Sequence, residues 1–124
     1  MLQPINIVIG TAWIIAGLVA LGLSIPLIAN RVGPNPLYGI RFRESFQSEQ
    51  AWYAINQFGG KRMALWSLPQ IACGVAAYFL PLKDNPTLTL VAGLAPLAFV
   101  LIPVFVTWRF ARRLATISDR EMGL

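Results

Sequence analysis

Three stretches of this chain carry no Asp, Glu, Lys or Arg: Ile5 to Ala29, Met63 to Leu80 and Leu88 to Trp108. As a helix rising about 1.5 Å per residue, each is long enough to cross a hydrocarbon core roughly 30 Å thick. The composition agrees, with 56% apolar and only 12% charged residues, well off the soluble average. The first and third runs are rich enough in Leu, Ile, Val and Phe to insert unaided. The second carries Ser67, Pro69 and Gln70 and is expected to lean on its neighbours. A cleaved signal peptide is a poor account of the first run, which is too long for such an apolar region and has no Lys or Arg before it.

The charges set an orientation. The formal net charge is +5, and its placement matters more than its sum. Arg31, Arg41, Arg43, Lys61 and Arg62 lie between the first two runs, and Arg109, Arg112, Arg113 and Arg120 follow the third, leaving only Lys83 in the turn between the second and third. Nine of the ten basic residues therefore fall on one side of a three-span chain, the side that the positive-inside rule makes cytoplasmic. The expected topology has the N-terminus outside and the C-terminus inside. The basic groups are assigned to anionic lipid headgroups, and no direct nucleic-acid partner is expected.

Local signals divide the single domain, 1–124, further. The first helix is expected to end near Pro26 to Asn30, where Gly33, Pro34, Asn35 and Pro36 prevent its continuation. A cytoplasmic segment, 31–62, follows. Within it Ser48 and Glu49 make a good helix start and Gly59 with Gly60 a stop. The residues between, with Trp52, Tyr53, Ile55 and Phe58, predict a short amphipathic helix over about 48–58, lying in the membrane interface with Trp52 as its headgroup anchor. The sequence PLKDNP at 81–86 turns the second span into the third. A basic tail, 109–124, is expected as a short helical extension. The fold class is thus all-α: an integral membrane bundle of three transmembrane helices, about 5–29, 63–80 and 88–108, with an interfacial helix between the first and second.

Small and polar residues repeat along the spans. Asn6, Gly10, Trp13, Gly17, Ala20 and Ser24 form a stripe on the first, Ser67, Gln70, Gly74 and Ala77 on the second, and Thr89, Gly93, Pro96, Val100, Pro103 and Thr107 on the third. Small residues allow helices to approach closely in lipid, so these stripes are read as the seams of a left-handed bundle. Asn6, Ser67 and Gln70 are the candidate interhelical polar contacts. A polar path for a solute is the alternative, disfavoured because no ionisable residue lies inside a span.

Catalytic chemistry lacks its parts. The chain has no His and a single cysteine, Cys73, so a His or Cys metal site, a disulfide and a His-activated nucleophile are all out of reach. No phosphate loop or dinucleotide fingerprint is present. The five acidic residues, Glu44, Glu49, Asp84, Asp119 and Glu121, all lie outside the spans. No enzyme, metal or cofactor is expected.

What remains is NPLYGIRFRESFQSEQAW, Asn35 to Trp52. With Asn56 and Gly60 it resembles the signature of the SdpI family of small bacterial membrane proteins, in its minimal three-helix form. The residues that carry the resemblance are Asn35, Tyr38, Gly39, Ile40, Arg41, Ser48, Glu49, Ala51, Trp52, Asn56 and Gly60. The chain departs from the pattern at Leu37, where the family has a bulky aromatic, and at Phe42 and Arg43, where it has Thr and often Pro.

The resemblance implies a multi-pass protein of the bacterial cytoplasmic membrane, conferring immunity to, or sensing, a membrane-active toxin or antimicrobial peptide. The partners it implies are a peptide toxin and a cytoplasmic regulator. Arg41 is expected to pair with Glu49, to meet helix carbonyls or to hold a lipid phosphate. The alternatives are a small transporter or channel subunit, working as a homo-oligomer, and an accessory subunit of a larger membrane complex.

Overall fold

A computed structural model describes residues 2–123 of the chain. It is all-helical, with no strand among the described residues: α1 spans Pro4–Ile28, a 3-10 turn Arg43–Phe46, α2 Glu49–Ala77, α3 Pro86–Leu94 and α4 Leu97–Glu121. Pro4 opens α1 at a position whose N–H has no intrahelical partner anyway. The helix closes in a Schellman turn: Asn30 takes a left-handed conformation (φ 56°), its N–H donates to the Leu27 carbonyl at 3.3 Å, and the Arg31 N–H reaches back to Pro26 at 3.0 Å.

Ser48 caps α2 as expected, accepting from the Ala51 N–H at 2.9 Å. The stop expected at Gly59 and Gly60 is not there. The helix runs on for 29 residues, about 43 Å at 1.5 Å per residue. The physical reason is close packing. A Cβ on Gly60 would lie 3.1 Å from the Leu27 Cβ and 3.2 Å from the Ser24 carbonyl oxygen, and one on Gly59 would press on Ile40 and lie 2.9 Å from the Thr107 Cγ2. The two glycines are contact points for other elements, which offset their low helix propensity.

The separate interfacial helix over 48–58 is therefore corrected: those residues are the first part of α2, continuous with the segment expected as the second span. Nor is its aromatic face a lipid-facing one. Trp52 and Ile55 are fully buried in protein, so Trp52 is a core residue and not a headgroup anchor.

α1 and α2 pack antiparallel along a seam of small residues. A Cβ on Gly10 would lie 2.8 Å from the Gly74 carbonyl oxygen, one on Gly74 at 2.8 Å from the Gly10 carbonyl oxygen, and one on Gly17 at 3.2 Å from the Ser67 carbonyl oxygen. Gly10, Gly17 and Ser24 thus meet Gly74, Ser67 and Gly60 at heptad spacing, the period of a left-handed helix pair. The hydroxyls in the seam are satisfied within their own helices, Ser24 by Leu21 O at 2.6 Å and Ser67 by Ala64 O at 2.7 Å.

On its other side α2 packs against α4. Phe58 stacks on Phe110 with centroids 4.1 Å apart, and Trp66 on Phe99 at 5.8 Å. α1 and α4 barely touch, so the three long helices form a row with α2 in the middle. The expected third span is also broken. Pro96 has no N–H, and the backbone around it shortens to bonds from Ala98 to Ala95 and from Phe99 to Pro96, both 3.0 Å.

Two helical stretches are long and apolar enough to cross a membrane: Pro4–Ile28, with an 18-residue segment of mean hydropathy 2.2, and Pro86–Glu121 across the Pro96 break, with an 18-residue segment of mean hydropathy 2.4. α2 is not one of them. Large apolar side chains cover their outer faces, among them Val8, Ile15 and Leu18 of α1 and Leu90, Leu101 and Phe105 of α3 and α4. The antiparallel packing brings the end of α1, the start of α2 and the end of α4 together. The basic residues between α1 and α2 and those of α4 consequently gather at one end, where α4 continues unbroken to Glu121.

Candidate functional site

The stretch from Asn35 to Gln47 folds as a loop laid against the first turns of α2. Asn35 builds its turn: its Oδ1 accepts from the N–H groups of Leu37 (2.9 Å) and Tyr38 (2.6 Å), while its Nδ2 donates to the carbonyls of Gly33 and Tyr38, both at 2.8 Å. Tyr38 then ties the loop to α1, its hydroxyl donating to the Leu23 carbonyl.

Gly39 follows with φ 119°, a conformation that L side chains rarely adopt. A Cβ there would also lie 2.8 Å from the Asn56 Oδ1 and 2.9 Å from the Trp52 ring. The glycine lets the chain pass close enough for Asn56 to bond the backbone of Ile40 on both sides. Asn56 Oδ1 accepts from the Ile40 N–H at 2.6 Å, and its Nδ2 donates to Ile40 O at 3.3 Å and to Trp52 O at 2.9 Å. Trp52 completes the clamp by donating its Nε1–H to the Val32 carbonyl at 2.7 Å, giving a buried indole the partner it needs.

Of the residues singled out from the sequence, then, Asn35, Tyr38, Gly39, Trp52 and Asn56 are brought together as one network, with Gly60 against α1 and Ser48 at the helix cap. Arg41 and Glu49 are exposed. Arg41 donates to the Pro36 carbonyl, and no carboxylate among the described residues is its partner, so the pair with Glu49 does not form. The interhelical polar group divides. Asn6 donates to the carbonyls of Ala77 and Leu80, each at 2.7 Å, and so closes the end of α2. Ser67 lies in the α1–α2 seam, and Gln70 is 2% exposed, with no side-chain hydrogen bond among the described residues.

Sequence reasoning missed several contributors. Gln57 donates to the Ile28 carbonyl at 3.1 Å, finishing α1 from α2, and Thr11 bonds Tyr78 across the seam. Polar residues at helical spacing were the available signal for both. Ser45, in the 3-10 turn, is fully buried, and its hydroxyl has no partner. Three of the other basic side chains rest on aromatic rings: Arg62 over Phe58 at 5.0 Å, Arg109 over Phe105 at 6.0 Å and Arg112 over Trp108 at 5.1 Å. Among the described residues no group of His, Cys, Asp and Glu could hold a metal ion.

Two helical stretches apolar enough to cross a membrane, close-packed seams and a hydrogen-bonded loop at the basic end are the features of a small helical membrane protein. Its family follows from the sequence match: a model of the SdpI/YfhL protein family covers residues 31–108, more than half of the chain, and the protein belongs to that family. The match takes in the whole loop, α2, α3 and α4 as far as Trp108. No curated protein and no solved structure matches the chain.

Proposed function

We propose that this protein is a non-enzymatic, multi-pass protein of the bacterial cytoplasmic membrane that protects against, or senses, a membrane-active peptide or toxin. α2 supplies a third span, held between α1 and α4, and the loop faces the cytoplasm. The observation that carries the reading is the family match over residues 31–108, which falls on a loop whose internal polar groups are bonded to one another while Arg41, Arg43 and Glu49 stay exposed. A preordered surface of this kind suits recognition, since little ordering entropy is lost on binding. Two of the three polar candidates in the seams, Asn6 and Ser67, are already engaged by backbone carbonyls, which speaks against a continuous polar path for a solute.

The role is tested by survival of toxin-sensitive bacteria expressing the chain, against a panel of membrane-active peptides. Protection by the parent that is lost in Arg41→Ala, at matched membrane abundance, is the expected result. An absence of protection across the panel would sink the immunity reading.

The orientation is tested separately with a single reporter thiol. Gln50 is exposed at the start of α2, whereas Ser45 is buried and would label poorly from either side. In a Cys73→Ser background, Gln50→Cys is expected to react with a membrane-impermeant maleimide only after the cells are opened. Labelling of intact cells would overturn the topology.

A further inference from the structure

We infer that the loop and α4 together form a binding site for one anionic phospholipid, with the lipid phosphate on Arg41 and an acyl chain in the cavity beneath it. The loop from Gly39 to Phe42, Met63 of α2, and Pro103, Val104 and Thr107 of α4 line an open-sided cavity of about 280 Å³. Its walls are apolar except at Arg41 and the Thr107 hydroxyl, which is spent on the Pro103 carbonyl at 2.6 Å. A small, mostly apolar cavity with one cation at its rim fits an amphiphile with an acidic head.

Position and charge select the lipid. Val104 is 48% exposed and lies on one stripe of α4 with Leu97, Leu101 and Trp108, all exposed. The cavity therefore opens onto the outer apolar face of the helical stretch Pro86–Glu121, which is long and apolar enough to cross a membrane. The first charge of α4 is Arg109, five residues on from Val104, or about 7.5 Å along the helix. That places the cavity where acyl chains meet headgroups.

Arg41 lines it, donates to the neutral Pro36 carbonyl and keeps the rest of its planar fork for an anion. No other cation lines the cavity, and Arg62, Arg109 and Arg112 are seated on aromatic rings. The apolar walls distinguish such a site from one for free phosphate, which has nothing to place against Ile40, Met63 and Val104. The inference takes from the proposed function only that α4 lies in a bilayer. It does not depend on any toxin.

The test uses the full chain reconstituted in phosphatidylcholine vesicles with trace spin-labelled phosphatidylglycerol or spin-labelled phosphatidylcholine, reading the immobilised lipid fraction. The parent is expected to prefer phosphatidylglycerol by about five-fold, the scale of one well-placed cation. Arg41→Gln is expected to remove that preference, whereas Arg113→Gln, an exposed cation away from the cavity, keeps it. Val104→Trp fills the cavity with Arg41 intact and is expected to lower the immobilised phosphatidylglycerol, which decides the matter should Arg41→Gln fail to fold.

Equal losses in Arg41→Gln and Arg113→Gln would assign the preference to the basic surface as a whole and overturn the site. So would an unchanged immobilised fraction in Val104→Trp. Displacement of the lipid by inorganic phosphate at constant ionic strength would make it a soluble-anion site and overturn the lipid assignment.

Discussion

Gly74→Ala is expected to destabilise the protein by about 2 kcal/mol, although alanine is the better helix former and the change adds one methyl group. The new Cβ would lie 2.8 Å from the Gly10 carbonyl oxygen and 2.9 Å from the Ile14 backbone nitrogen. Both are backbone atoms of α1, so relief requires the two helices to separate along the seam. Separation loosens the neighbouring contacts at Gly17 and Ser67 and the bonds from Asn6 that close the end of α2.

Gly22→Ala is the control, since a Cβ there meets nothing within 4 Å. Its expected effect is within about 0.5 kcal/mol of zero or slightly stabilising. Unfolding free energies of the two variants, measured by titration in the same mixed micelles, decide between a backbone-contact seam and a loosely packed pair. Equal values for both would remove the seam as the organising contact of the fold.

Much of this architecture was legible because lipid imposes simple demands. The uncharged runs located α1 and the α3–α4 segment, the Ser48 cap was correct, and the small-residue stripes of α1 and α2 proved to be the surfaces in contact. The failures have a common origin in residues that serve two purposes. Adjacent glycines such as Gly59 and Gly60 read equally well as a helix stop or as a place where another backbone comes close, and only the packing of Ile40, Thr107 and α1 against them selects the second. Likewise an aromatic helix face suits lipid or protein, and the loop that covers Trp52 lies some twenty residues earlier in the chain, as its bond to Val32 shows. Pro96 was placed in a seam, where it does lie buried, but the break it makes in the helix was not read.

The loop itself shows a similar division. Asn35 was recognisable as a turn former and Gly39 as a permissive backbone site, both from local chemistry. What local chemistry could not supply is that Asn56, about two turns beyond the start of α2, bonds the Ile40 backbone across the gap. Most of the family signature therefore builds the loop, leaving Arg41, Glu49 and their neighbours exposed at its surface. A variant scan that treats every signature residue as a contact residue would confuse loss of the loop with loss of recognition.

Asn56→Leu separates those two effects, and its expected cost is about 3 kcal/mol. Leucine keeps the branched shape and the number of side-chain heavy atoms, with bulkier methyl ends, so no cavity is left, but the Ile40 N–H and C=O would lose the side chain that bonds them. Leaving a buried backbone group unpaired costs about 1–3 kcal/mol, and two are affected here. The position is 1% exposed, so water cannot easily replace the amide. Its oxygen also abuts Gly39, so the branched leucine end would press on the loop at its tightest point.

The damage should be local at first, because the seam between α1 and α2 lies beyond the loop. Trypsin is the direct probe: cleavage after Arg41 and Arg43 is expected to accelerate at least ten-fold in the variant, in proportion to the population of the opened loop, while the helical circular dichroism stays unchanged. Cleavage at the parent rate, with an unfolding cost below about 0.5 kcal/mol, would show that Asn56 does not hold the loop. The clamp would then have to rest on Trp52 and Tyr38 alone.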